Sequence, residues 1–323
     1  MAFSFDYFQR CAADTGFSTS TLEKVSRLGE VAGDITRHPF LGTRLLLKGG
    51  TALNLCFGPP ARLSVDLDYN YVGRLGRTEM LEERPQVEAT IEELVNRLGY
   101  RIQRSAEAFA ARIFYLNYAS VLGGEGQIKV YLNYLYREPL EEPVERELWQ
   151  PGELDRPTIR TVSSEELCVG KMLALLDRMA VRDVWDVGEL SPDLKRIVQT
   201  SDYRSWFIAL AATLPLPLVE YDHTRIEKAV TAADINNMLI PMLINGSRLD
   251  PEGLVDRMWL VMDPVLDLSE SEQEYVAEIQ RGILRSNLIF PSDAEKASRL
   301  ERHPAVQWKL MNMRKHLSGG RES

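Results

Sequence analysis

Apolar residues along the first 73 positions follow a pattern that switches between helix and strand. Residues 22–31 carry leucine and valine at helical intervals, and RLLLKGG at 44–50 is typical of a short buried strand that ends in glycines. TALNLCF at 51–57 predicts a short helix, which the following glycine and proline stop. RLSVDLDYNYV at 62–72 alternates polar and apolar residues, as a half-buried strand does. The pattern predicts strand, glycine turn, helix and strand in succession.

The pattern stays mixed up to residue 136. Apolar spacing predicts a helix near 82–98. Two strands are then predicted at 112–121 and 126–136, and the turn signal GGEG joins them. The first half therefore combines helices with a sheet.

The second half is predicted to be mainly helical. Residues 137–157 are rich in Pro and Glu and lack periodicity, which favours a linker. Beyond it, Ser163 and Glu166 fit the S-x-x-E capping box of a helix start, and most later segments have helical spacing. We predict an α+β protein with a core at 1–157 and a helical domain at 158–323.

The strand at 62–72 has one polar face. Because residues of equal parity share a face of a strand, that face gathers Arg62, Ser64, Asp66, Asp68 and Asn70. Side chains two apart stand roughly 7 Å from each other, so Asp66 and Asp68 are close enough to share a divalent cation. Two carboxylates with substrate phosphates and water are the usual ligands of Mg²⁺ in proteins. The alternative is a solvated strand face.

The double glycine before the short helix suits phosphate. Gly49 and Gly50 let the backbone approach a ligand closely, and the N–H groups of the next helix follow them. A lone glycine pair is usually only a tight turn. Here the acidic strand follows the glycine pair within one compact unit. Together they favour a site that holds a nucleotide's phosphates and the metal that bridges them.

A second set of charged residues lies at the predicted start of the helical domain. On an unbroken helix Lys171, Arg178, Arg182 and Asp186 fall within about 80° of one another and form one stripe. Such a stripe suits a triphosphate and the charge that develops in phosphoryl transfer, although a solvent-exposed face is the alternative. Asp183 lies off the stripe unless the helix breaks nearby, so the choice between Asp183 and Asp186 as the inward acid stays open.

These motifs resemble those of a known family. LKGGTALNLCFG and RLSVDLDYNYV, with EELCVGKMLALLDRMAVRDVWDVGEL further on, are similar to the signature of the AbiEii/AbiGii nucleotidyltransferase toxins, a branch of the DNA polymerase β nucleotidyltransferase superfamily. The resemblance implies a polymerase β-like core with a mixed sheet, and a helical domain that completes the active site.

The resemblance also assigns roles to individual residues. It implies that Asp66 and Asp68 hold Mg²⁺ and act in catalysis together with Lys171 and with Asp183 or Asp186. It further implies nucleotide binding by Lys48, Gly49, Gly50, Thr51, Arg62, Ser64, Arg178 and Arg182.

The activity that the resemblance implies is transfer of a nucleoside monophosphate from an NTP to RNA. The expected acceptor is the 3′ end of tRNA, and the expected setting is a type IV toxin–antitoxin system with a cognate antitoxin protein as partner. One feature departs from the superfamily pattern, since the strand at 128–134 offers Lys129, Tyr131 and Asn133 but no third carboxylate. Asp183 or Asp186 could substitute, or one metal could suffice. The alternatives are an inactive nucleotide- or partner-binding regulator and an enzyme that nucleotidylates protein.

Charge and composition agree with an RNA partner only at one end of the chain. The net charge is −9, but residues 281–323 hold nine Lys or Arg against four Asp or Glu. That end favours either phosphate binding or a solvated helical face. No apolar stretch is long enough to span a bilayer and the N-terminus does not read as a secretion signal, so we expect a cytoplasmic protein without a membrane partner.

Overall fold

The computed structural model describes residues 4–106, 108, 110–247 and 249–319, which divide into two compact units. The first unit comprises the described parts of Met1–Arg137, Glu142–Val162 and Ile235–Arg248. Its helices are α1 (Phe5–Thr15), α2 (Thr19–Arg37), α3 (Gly49–Leu55) and α4 (Arg77–Arg97). Its strands are β1 (Leu45–Lys48), β2 (Asp66–Tyr71), β3 (Arg101–Arg104), β4 (Ala111–Ala119), β5 (Glu125–Asn133), β6 (Val144–Glu147) and β7 (Thr158–Thr161).

Within the described residues these strands form one mixed sheet in the order β3-β4-β5-β2-β1-β7-β6. β2 lies at its centre, antiparallel to β1 and parallel to β5. β1 in turn runs parallel to β7, while β3, β4 and β5 form an antiparallel meander. The acidic strand is therefore flanked on both sides by paired strands, which fix its position.

Helix α2 supplies much of the core beside this sheet. Its apolar residues at 22, 25, 28, 31 and 35 are almost fully buried, as the helical spacing predicted. Each such side chain stabilises the fold by about 1.5–3 kcal/mol relative to an exposed one. The N-terminus of the helix is capped by Ser18, whose hydroxyl accepts a hydrogen bond from the N–H of Thr21.

The structure differs from the sequence prediction at two strands of the first unit. β2 begins only at Asp66, because the backbone N–H of Leu63 donates to the carbonyl of Met242 instead of to a neighbouring strand. Arg62 and Ser64 therefore precede the strand. The predicted linker at 137–157 contains β6, which pairs with β7 in antiparallel register.

The second unit comprises the described parts of Glu138–Glu141, Ser163–Asp234 and Leu249–Ser323, and its regular structure is helical. Its helices are α5 (Ser164–Arg178), α6 (Val181–Gly188), α7 (Pro192–Ile197), α8 (Ser201–Ala211), α9 (His223–Ala229), α10 (Ala232–Asp234), α11 (Pro251–Leu266), α12 (Glu270–Gln280), α13 (Ala294–Arg302) and α14 (Pro304–Gly319). The prediction of an α+β fold with a mixed sheet followed by a mainly helical part is confirmed.

The predicted capping residue of α5 occupies its expected position. The Ser163 hydroxyl accepts from the N–H of Glu166 at 3.1 Å. The Glu166 carboxylate accepts from the N–H of Leu140 at 2.8 Å. It thereby fastens the Glu138–Glu141 segment to the second unit.

No helix within the described ranges combines the length and the apolar composition that crossing a membrane requires.

Candidate functional site

The turn between β1 and α3 lies directly against the acidic strand. Gly49 has a left-handed backbone with φ of 71°, and a Cβ atom at this position would overlap the Asp68 carboxylate. Lys48, the last residue of β1, stands opposite Asp68 in the antiparallel register. Both the backbone angle and the close approach therefore require glycine at position 49.

Arg62 and Ser64 line the other side of this turn. A Cβ atom on Gly50 would lie 3.1 Å from Arg62 Nη2 and 3.1 Å from Ser64 Oγ. The Thr51 hydroxyl donates to the backbone carbonyl of Asp66, which ties the first turn of α3 to the start of β2. The structure brings together all the residues of the first unit for which a role was predicted.

The two carboxylates of the acidic strand share one face of the sheet. Asp66 and Asp68 are both half-buried, and they are two residues apart on β2. In the parallel register with β5, Asp66 stands opposite Lys129 and Asp68 opposite Tyr131. Burial, followed by the charge of Asp68, raises the pKa of the Tyr131 hydroxyl, which therefore stays protonated at neutral pH.

This donor set fits Mg²⁺ that is shared with a nucleotide. Among the described residues, no three His, Cys, Asp or Glu side chains come together as a metal-binding group. Mg²⁺ does not need such a cage, because it retains waters and is commonly held by one or two carboxylates together with substrate phosphates. Asp66 and Asp68 would hold the ion from one side, and phosphate oxygens would hold it from the other.

The charged residues of the second unit form a buried ion-pair cluster instead of the predicted stripe. Lys171 Nζ lies 2.9 Å from Asp183 Oδ1 and 2.7 Å from Asp186 Oδ2. Arg178 donates to both carboxylate oxygens of Asp183, with Nε at 2.6 Å and Nη2 at 2.9 Å. We call Lys171, Arg178, Asp183 and Asp186 the ion-pair cluster.

The stripe does not form because the helix is not continuous, which is the alternative that the sequence left open for Asp183. Met179 takes a left-handed conformation with φ of 49°, which ends α5, and α6 begins at Val181. The break turns Asp183 into the interior beside Asp186, and both acids are buried. Arg182 is half-exposed on α6 and makes no hydrogen bond or ion pair with another described residue.

The ion-pair cluster is electrically balanced. Two cations face two carboxylates, and Asp183 and Asp186 are almost completely buried. Burial is the largest effect on Asp183 and by itself would raise its pKa, but Lys171 and Arg178 together outweigh it and hold the pKa below the usual range. Lys171 is also buried, whereas 62% of the Arg178 side chain is exposed.

A glycine turn packed against a D-x-D strand in a mixed sheet agrees with the nucleotidyltransferase class that the sequence motifs predicted. The family described as "Nucleotidyl transferase AbiEii toxin, Type IV TA system" matches residues 34–256. The chain belongs to this AbiEii family of nucleotidyltransferase toxins. The predicted family and the predicted enzyme class are thus confirmed.

Solved structures share the fold at low sequence identity. The nucleotidyltransferase toxin MenT4 from Mycobacterium tuberculosis is 16% identical, with a TM-score of 0.63 over 95% of this chain and 99% of that one. A putative nucleotidyltransferase from H. pylori is 15% identical, with a TM-score of 0.51 over 77% of this chain and 96% of that one. No curated protein sequence matches the chain significantly.

Proposed function

We propose that this protein is a Mg²⁺-dependent enzyme that transfers a nucleoside monophosphate from an NTP to the 3′ end of a tRNA. The observation that carries the proposal is the contact between the Gly49 turn and the Asp68 carboxylate. It puts a backbone suited to phosphate beside a pair of carboxylates suited to the metal that phosphates bring with them.

Several side chains of the first unit are placed to bind the nucleotide. Lys48 and Arg62 lie at the glycine turn, where their positive charges complement a triphosphate. The Arg62 guanidinium and the Ser64 hydroxyl reach the Gly50 side of the turn, where they can donate to phosphate oxygens. Bound Mg²⁺ supplies positive charge to the phosphoryl group and orients it for in-line attack.

In the second unit, Lys171 holds Asp183 and Asp186 in place, and thereby sets the angle between α5 and α6. We assign phosphate contacts to the exposed part of Arg178 and to Arg182. The charges of the ion-pair cluster balance one another, and Arg182 is a half-exposed cation outside the cluster.

The experiment is transfer of label to RNA. The purified chain is incubated with total tRNA, Mg²⁺ and each α-³²P-labelled NTP in turn, alongside an Asp66→Asn variant and an Asp14→Asn control on the exposed side of α1. We expect label on RNA from the parent and from Asp14→Asn but none from Asp66→Asn. Periodate-oxidised tRNA, which lacks an intact 3′ hydroxyl, should accept no label.

A second candidate function follows from the residues opposite the two aspartates. Lys129 and Tyr131 occupy β5 where the superfamily has its third carboxylate, which favours a nucleotide-binding regulator without transferase activity. Nucleotide binding by calorimetry with no label on RNA or protein would support that function. Label on protein alone would instead identify a protein acceptor.

The biological setting is part of the same proposal. We propose that the protein acts in the cytoplasm as a toxin, and that an antitoxin protein opposes it. Induced expression should stop growth, and Asp66→Asn should abolish this effect. Growth arrest by the Asp66→Asn chain would separate toxicity from nucleotidyl transfer.

A further inference from the structure

A lysine stands beside the metal-binding carboxylates at the place where an acid would complete a two-metal site. Lys129 on β5 is the register partner of Asp66 on β2. The two strands are parallel, so paired residues project from the same face of the sheet, with the strands about 4.8 Å apart. The Lys129 side chain therefore begins next to the Asp66 carboxylate.

The Lys129 ammonium is not committed to an internal ion pair. The residue is exposed, and it forms no hydrogen bond or ion pair with any other described residue. On the side of Lys129 away from Asp66 stands Tyr115 of β4, and the ammonium lies 5.9 Å from the centroid of that ring. The aliphatic part of the Lys129 side chain thus begins between Asp66 and Tyr115. A change of rotamer can turn the ammonium towards the carboxylates.

The charge of residue 129 determines whether a second divalent ion can bind beside Asp66. A carboxylate opposite Asp66 would help to hold a second divalent ion, whereas an ammonium at that place repels one. The ammonium can itself supply positive charge to an oxygen that becomes anionic during the reaction.

We propose that Lys129 replaces the second metal ion, so that transfer runs with a single divalent ion held by Asp66 and Asp68. This rests on the function proposed above. The acceptor hydroxyl oxygen forms a bond to the α-phosphorus and loses its proton to solvent. The bond from the α-phosphorus to the bridging oxygen breaks, and pyrophosphate leaves with the electron pair. Lys129 stabilises the negative charge on the attacking oxygen.

The number of bound metal ions tests this assignment without an activity measurement. Mn²⁺ binding is counted by electron paramagnetic resonance on the full chain, saturated with an NTP analogue that carries a methylene group between its α- and β-phosphorus atoms. We expect one Mn²⁺ per chain for the parent and two for Lys129→Asp. A Gln127→Asp control, which adds an acid on the same strand and face but not opposite Asp66, should bind one.

The outcomes separate the two proposals. Two Mn²⁺ ions on the parent, or one on a folded Lys129→Asp chain, would overturn the assignment of Lys129 and leave the transferase intact. Mn²⁺ binding that is equal in the parent and in Asp66→Asn would overturn the metal site itself, and with it the proposed function.

Transfer rates provide a second readout. Lys129→Met should lower kcat by about 100-fold with little change in the KM for NTP, because the charge acts on the attacking oxygen and not on the bound nucleotide. Lys129→Arg, which keeps the charge, should recover most of that loss. An unchanged kcat in Lys129→Met would also overturn the assignment.

Discussion

Gly49 lies so close to the Asp68 carboxylate that no side chain can be added at position 49 without moving that aspartate. The two residues come from different elements, since Gly49 begins α3 directly after β1 and Asp68 lies within β2. A backbone position and a side chain proposed to bind metal are thus coupled. A change at position 49 should alter the position of the Asp68 carboxylate.

Gly49→Ala should reduce both stability and transfer. The left-handed backbone costs an alanine about 1–2 kcal/mol, and overlap with Asp68 displaces the carboxylate. Gly58→Ala is the matched control, because Gly58 also has a positive φ but a Cβ there meets no atom within 4 Å. We expect a loss of melting temperature in both variants, larger in Gly49→Ala because of the overlap, with loss of transfer confined to Gly49→Ala. Equal activity in both would show that Asp68 tolerates the displacement.

Lys171→Met should be far more damaging to stability than Arg178→Met. Removal of the buried ammonium leaves two buried carboxylates without their shared partner, which costs about 3–5 kcal/mol. Arg178 is mostly exposed, so its loss should cost about 1 kcal/mol. Urea denaturation measures both free energies of unfolding. Equal costs would mean that the buried ammonium is not what stabilises the two acids.

Acid should destabilise the ion-pair cluster in a defined pH window. The pKa of Asp183 is lower in the folded chain than the unfolded value near 3.9. The stability that this difference contributes is fully present above about pH 4 and is lost as the pH falls through the folded-state pKa. Stability measured between pH 6 and pH 2 should fall less steeply in Asp183→Asn than in the parent. Parallel curves would contradict the lowered pKa.

Lys315, an exposed cation of the basic C-terminal end, should contribute to RNA binding. Lys309 donates to the carbonyl of Leu214 and Arg314 to that of Gly282, so these two cations also hold α14 in place. Lys315 is exposed on the same helix. Lys315→Gln should reduce the slope of log affinity against log salt by about 1. Lys228→Gln on α9 provides a control with the same charge change. An unchanged slope would favour a solvated helical face.

Much of the first unit could be predicted because its sequence signals are local. The alternation around Asp66 and Asp68 and the glycines at 49 and 50 specify a strand and a turn whatever the rest of the chain does. The start of β2 was not predictable, since it depends on a hydrogen bond between Leu63 and the distant Met242. Arg62 and Ser64 still reach the turn, but from a loop and not from a strand face.

The ion-pair cluster could not be derived from the helical periodicity of the sequence. The residue that ends α5 is Met179, and methionine gives no sign of a left-handed conformation, unlike glycine or asparagine. Spacing alone therefore left two interpretations open, a continuous helix with Asp183 off the stripe and a broken helix with Asp183 facing inward. What favours the break is the burial of Asp183 against Lys171 and Arg178, a tertiary effect that the sequence spacing does not contain.

The hydrogen bond from Leu63 to Met242 also sets an order of events during synthesis. The loop that carries Arg62 and Ser64 is fastened by a segment, Ile235–Arg248, that leaves the ribosome long after the sheet has been translated. A nascent chain that already contains the turn and both aspartates still lacks this fastening. The loop that carries Arg62 and Ser64 therefore reaches its final hydrogen bonding only after residues beyond the sheet have been translated.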